Sequence, residues 1–571
     1  MSDSKSAKHP FGVWILFGTE MWERFGYYLM LGIFSLYMLD SWNNGGMGFS
    51  PGQKSDIYGT YLGLVYLTPF IGGLIADRIL GYRKAIITGG LMMAAGYFML
   101  SVHSITSFYI ALLLIIVGNG FFKPNISTMV GNLYSSDELK EKKDAGYNIF
   151  YMGINVGAFI CNFVAAYMRI NYGWGHAFAA AGVGMLIGVT VFLVGTKHIK
   201  HVDIIKPLKE GDMSTGKILS MTVLPMFVFG VLGYLIPGNF LGTDTNDAFI
   251  IGCLPVIGFF IYLAFNSEAK ESRAIKALLA VFTCVILFFA IFHQNGDALT
   301  IWAEDHTDRQ MPEAISESAD KIGMAQVVVN NDIVSADEAT FKSKIDSMRA
   351  IEDAMPKETP EELKAKAQFA GEISQLEKSR KYFETLPTAQ IPAKGSDLKL
   401  FSTELYQSIN PFWVVMLTPV VVGFFSFLNS RKMEPSTPTK IAIGLVITAL
   451  SALVMVGAVM STNHLESKAS SMWLLASYGV ITIGELCLSP MGLSLVSKLS
   501  PPRITALMMG GFFLAISVGN KLSGMLSGLW ESTEDKSNFF LMNFALVSGA
   551  AVLLFLMLKW LNGVMKENNV K

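Results

Sequence analysis

Residues 11–39 read FGVWILFGTEMWERFGYYLMLGIFSLYML, an apolar run that carries Glu20, Glu23 and Arg24 near its middle. As a helix the run is long enough to cross ~30 Å of hydrocarbon. An ionised side chain at that depth costs at least ~2.5–3.5 kcal/mol on insertion scales, so each of the three needs a partner or a water-filled cavity. This one segment therefore predicts both a membrane span and a functional site.

Thirteen further apolar runs follow, near 55–77, 85–103, 106–130, 145–168, 175–195, 218–236, 248–265, 275–303, 409–429, 440–461, 471–497, 504–529 and 538–560. The composition agrees. Of 571 residues, 52% are hydrophobic and 16% charged, with a mean hydropathy of +0.44. A soluble protein is about 25% charged. The chain is expected to be an all-α polytopic membrane protein. With 44 basic and 45 acidic residues it has no basic field for nucleic acid. Cys161, Cys253, Cys284 and Cys487 all lie in apolar runs without metal-ligand spacing, so no metal or other cofactor is expected.

Fourteen crossings return the chain to its starting face, and the basic residues name that face. Arg83, Lys84, Lys140, Lys142, Lys143, Lys206, Lys209, Arg431, Lys432, Lys498 and Arg503 fall on one side; Arg169, Lys468 and Lys536 are the main exceptions on the other. Both termini are expected in the cytoplasm, with the spans in the inner (plasma) membrane. Residues 305–400 hold 31 of the chain's 89 charges and cannot lie in lipid. Ser335 with Glu338, and Thr359 with Glu362 after Pro360, predict two helix starts. The stretch is therefore expected to be an outer helical hairpin (~336–354 and ~360–385), either passive or docking an unidentified partner.

The spans divide as six, two and six. The expected units are a bundle at 11–195, a linker with two extra helices at 196–273, the first helix of a second bundle at 274–304, the insert at 305–400 and the rest of that bundle at 401–560. Polar residues recur on equivalent helices of the halves: Glu20, Glu23 and Arg24 against His293, Gln294 and Asn295, and Lys123 with Pro124 against Glu485 with Pro490. A midplane site between internal repeats accounts for that symmetry.

Two cations and three carboxylates in the spans leave one acid over, free to hold a proton. A helix motion that parts Glu from Arg or Lys would take a proton up, and re-pairing would release it. Tyr27, Tyr28, Tyr66, Asn155 and Asn410 offer hydrogen bonds to a small zwitterion, or to one another between helices. His293 is either a proton carrier or a hydrogen-bonded core residue. Gly211 to Lys217 has P-loop spacing, but Ile218 replaces the required Ser/Thr, so no ATP drive is implied. No nucleophile–base pair speaks for an enzyme.

Gly73-Leu74-Ile75-Ala76-Asp77-Arg78, with Gly81 and Arg83, resembles the loop motif of the major facilitator superfamily. Glu20-Met21-Trp22-Glu23-Arg24-Phe25-Gly26-Tyr27-Tyr28 resembles the ExxERFxYY motif of the proton-dependent oligopeptide transporters. Phe121-Phe122-Lys123-Pro124-Asn125 and Gly484-Glu485-Leu486 through Ser489-Pro490-Met491-Gly492-Leu493 resemble two further motifs of that family. The resemblance implies a major facilitator fold of two six-helix bundles plus two extra helices, and symport of di- and tripeptides with protons. It assigns proton coupling to Glu20, Glu23 and Arg24, with Glu485 and His293 as further candidates. Lys123 and Glu485 become a gate pair that also meets the peptide. Arg24, Tyr27, Tyr28, Tyr66, Asn155, Gln294 and Asn410 become peptide contacts, and Phe289 and Phe512 stand where the family has tryptophans. Leu31 and His293 replace an outer arginine–acid gate pair, and losing both charges together is tolerable. The alternatives are the same fold moving a modified amino acid or organic anion, and a transporter-like sensor acting through the insert.

Overall fold

The computed structural model describes residues 9–136, 139, 142–204, 215–356, 359–501 and 504–568. Lys140, Lys206, Lys209, Arg503 and the glycine of the P-loop-like stretch at 211 lie outside them.

Among the described residues, eleven helices are long and apolar enough to cross a membrane. Three more helical segments complete the fourteen expected. They are Gly12–Leu39 with its three central charges, Tyr82–Leu100, and the short apolar helices within 215–234. Side-chain caps set several boundaries. Ser50 and Gln53 form a capping box at Pro51–Ile75, and Ser104 and Thr243 cap the fourth and eighth spans. Phe227, Leu235, Phe240, Phe265, Val420 and Leu556 are exposed on outer faces, as side chains solvated by lipid would be.

The halves pack alike. In the first, span one lies against five and six, three against four and six, and two against four. The ninth to fourteenth spans repeat those pairings at the corresponding places. The halves meet chiefly where the second span packs on the thirteenth and the fifth on the tenth. Close approach within a half needs small residues. A Cβ on Gly72 would stand 2.1 Å from the Gly120 carbonyl oxygen, so the second and fourth spans touch backbone to backbone.

The ninth span is not the single helix that its apolar run suggested. It runs from Ala269 to Phe292, breaks in a 3-10 turn at His293–Gly296, and resumes at Ala298–Asp305. Asp297, at φ −125° and ψ −91°, makes the break. Irregular backbone at membrane depth is tolerated where protein buries it.

The insert contains the two expected helices, Glu338–Ala354 and Pro360–Glu384, the second with the Thr359–Glu362 capping box in place. Asp337, not Ser335, caps the first. Asn331 folds the preceding residues into a turn by accepting from the Ile333 and Val334 amides, which shifts the helix start. Nor is the insert purely helical. Ala325–Asn330 pairs antiparallel with Ser396–Phe401, and a third helix spans Glu313–Lys321. The β-branched run Val327–Val329 favours that strand. Val328, Ile345, Ile373, Leu376 and Leu400 give the insert its own core.

The insert is tied to both halves. Thr307–Asp308 pairs with Ala469–Ser470, and the Lys468 amide donates to the Thr385 carbonyl, on the second half. Lys378 meets Asp40 at 3.5 Å, and Asn44 donates to Ser374, on the first.

Candidate functional site

The first span places Glu20, Glu23 and Arg24 on one face within about one turn, all at most 2% exposed. Arg24 grips Glu23 through two nitrogens, the Nη2–Oε1 contact being 2.5 Å. Its Nε lies 3.6 Å from Glu20, its Nη2 reaches Asn119 at 3.3 Å, and its guanidinium sits 4.7 Å from the Tyr27 ring centre. Tyr28 is close by, at 5.8 Å. The guanidinium is thus committed to Glu23, while Glu20 Oε2 is buried with no hydrogen-bond partner. That bare oxygen is where a proton would relieve the cost of an ionised group out of water.

Lys123, on the fourth span, and Tyr66, on the second, meet as cation and ring, 4.2 Å from nitrogen to centroid. Tyr66 also stands edge-on to His293, which stacks on Phe289 at 5.6 Å. Across the cleft, Glu485 on the twelfth span accepts from Asn410 at 3.2 Å. Tyr151 on the fifth lies within electrostatic reach of Glu485, Tyr28 and Tyr66. Lys123 and Glu485, which the resemblance makes a gate pair, form no ion pair with each other among the described residues. Both are partly exposed, in keeping with a cleft between the halves.

The other face of the molecule is shut. Lys54 on the second span forms a buried ion pair with Asp297 in the ninth-span break. Ser35 donates to the Gly296 carbonyl at 2.7 Å, and Asn162 to Ser408 at 3.0 Å. Arg169 binds Glu404 at 2.6 Å and Lys521 binds Asp56 at 2.7 Å. These cross-half links gather toward the insert, and neither Lys123 nor Glu485 takes part in them. The conformation is closed toward the insert.

Two sequence-chosen residues sit elsewhere. Gln294 exchanges hydrogen bonds with Asn543 on the last span, so its amide is spent inside the second half. Phe512 is 1% exposed, packed on Phe282 and against Gly492. It is a core side chain of that half. Asn155 donates to the Tyr151 carbonyl one turn back in its own helix.

Several residues escaped sequence reading. Asn119 stands one turn before Lys123, a spacing that places both on one helix face. Asp297 lay inside the apolar run 275–303 and was a visible charge there. The Lys54 and Arg169 pairings had no sequence signal, because their partners are hundreds of residues away.

A sequence model of the POT family matches residues 83–328 and 398–542, leaving out most of the insert. The chain is 28% identical over 538 residues to a di-/tripeptide transporter of Lactococcus lactis, covering 92% of this chain and 90% of the relative. It is 27% identical over 541 residues to peptide transporter YePEPT of Yersinia enterocolitica, covering 91% and 88%. The fold matches a crystal structure of peptide transporter POT in complex with sulfate, with a TM-score of 0.73, 26% identity and 98% and 96% coverage. A structure of an E310Q mutant of that transporter with alafosfalin matches at a TM-score of 0.72 and 26% identity. With the greater part of its length matched and both halves represented, this multi-pass membrane protein belongs to the POT family.

Proposed function

We propose that the chain is a proton-coupled symporter that carries di- and tripeptides into the cytoplasm by alternating access. One observation carries this reading: between the halves a lysine, Lys123, and a glutamate, Glu485, stand without an ion-pair partner near a buried Glu20–Glu23–Arg24 cluster. A peptide brings a carboxylate for Lys123 and an ammonium for Glu485, and so stands in for the missing gate pair. Tyr28, Tyr66 and Asn410 border the space between them. The relatives that are di-/tripeptide and peptide transporters support the substrate class.

Glu20, with its unpartnered oxygen, is the proton acceptor on this reading. Protonation removes one negative charge from the cluster, Arg24 stays with Glu23, and the halves are free to move. With an inside-negative potential each proton gains about 2.3 kcal/mol per 100 mV. The termini and the open cleft then face the cytoplasm of the inner membrane, and the insert faces outside.

The test is uptake of labelled dialanine by proteoliposomes under an inward proton gradient and inside-negative potential. Accumulation that a protonophore collapses and unlabelled dipeptides compete away is the expected result. A folded protein that accumulates no peptide would overturn the reading and favour another small solute.

A further inference from the structure

A cavity of about 180 Å³ lies between the insert and the shut mouth of the two halves. Arg169 and Trp174 of the first half line it, as do Glu304 of the second and Val328 and Tyr382 of the insert. Five cations face three carboxylates there. Arg169 is matched by Glu404, Arg309 by Glu304, Lys378 by Asp40 and Lys381 by Asp305.

Lys468 is left over. Its ammonium donates to the Asp305 backbone carbonyl at 2.7 Å and rests 4.5 Å from the Tyr382 ring centre, with no carboxylate in ion-pair reach among the described residues. Burial, then the neighbouring Arg309, pull this ammonium down to about 8, as befits a cation without its counter-ion. Arg309 is 2% exposed, and its Nε has no hydrogen-bond partner. An ammonium without a carboxylate partner, in a cavity with more cations than carboxylates, asks for an anion. Tyr382, Trp174 and Val328 supply a wall for an apolar substituent.

We propose that this cavity is an outer docking site for a small carboxylate ligand, in which Lys468 holds the carboxylate beside Arg309 while the Arg169–Glu404 contact beneath is still closed. The ligand is the C-terminus of an incoming peptide, an assignment that rests on the peptide-transport reading. The insert then raises the local substrate concentration at the mouth, and parting of Arg169 from Glu404 admits the peptide to the central cleft.

The experiment compares initial rates of labelled dialanine uptake by whole cells expressing wild type, Lys468→Gln and Lys468→Arg. Loss of one charge-assisted contact is expected to raise KM about ten-fold in Lys468→Gln with kcat unchanged. Lys468→Arg should restore KM, and exchange from the terminal face, measured in inside-out vesicles, should not change. An unaltered KM in a transporting Lys468→Gln variant would overturn the proposal. If wild type moves no peptide at all, the carboxylate site is tested directly on purified full-length protein. Acetate is titrated while the NMR signal of 13C-methylated Lys468 is followed. A saturable shift, absent in Lys468→Gln, upholds a carboxylate site; an unmoved signal overturns it.

Discussion

Lys54 of the second span and Asp297 of the broken ninth span form an ion pair that is almost wholly buried and joins the two halves of the molecule. The bond lies directly after the 3-10 turn that carries His293, on the face closed toward the insert.

Breaking a buried pair from one side leaves an uncompensated charge, at a cost of about 3–5 kcal/mol. Asp297→Asn should therefore open the insert face, and Lys54→Met with Asp297→Leu should close it again. Labelling of a Ser35→Cys reporter by a membrane-impermeant thiol reagent measures this, because Ser35 lies in the seal beside Gly296. Faster labelling is expected in the single variant and near-parental labelling in the double one.

Glu23→Gln is expected to lower gradient-driven accumulation by at least about ten-fold, since it removes the charge that holds Arg24. Glu20→Gln should act on the same step by fixing the neutral form. Peptide exchange without a gradient should survive in both, because neither side chain is freely exposed to the cleft. Full accumulation in Glu23→Gln would remove it from the coupling machinery.

The open Lys123–Glu485 relationship predicts a charge-swap result. Lys123→Glu and Glu485→Lys should each lose most uptake, by about ten-fold or more, whereas the double exchange should regain part of it. An ion pair that forms in another state tolerates reversal, and a mere packing role does not. Measured uptake in the three variants separates these cases.

His306 lies outside the spans, packed against Trp302 and Trp530, and its burial pulls the imidazole down to about 4. The unfolded chain binds that proton from about pH 6.5 downward. The stability of the neutral form is therefore full above that point and is lost as pH falls toward 4, by roughly 2–3 kcal/mol. His306→Phe should flatten this part of the profile. Thermal unfolding of both proteins between pH 7 and 4.5 is the check, and an equal loss in both would show that His306 carries none of it.

The helical spans and the buried charges of the first, fourth and twelfth of them were legible in the sequence. Hydrocarbon imposes a length and an apolar composition on every crossing, and ionisable residues stand out against it. The Thr359–Glu362 cap was legible for the same local reason, as it is a pattern within four residues. The roles of Gln294 and Phe512 were not. Both lie on helices whose rotation about the axis depends on neighbours, and packing turned Gln294 to Asn543 and Phe512 to Phe282.

Sequence alone thus determined that this chain crosses the membrane many times with ionisable side chains in its spans, because burial in lipid constrains each helix separately. Tertiary structure decided which charges meet. Lys54 finds Asp297, Arg169 finds Glu404 and Lys123 stands apart from Glu485, because those distances are set by how two rigid bundles lean on each other.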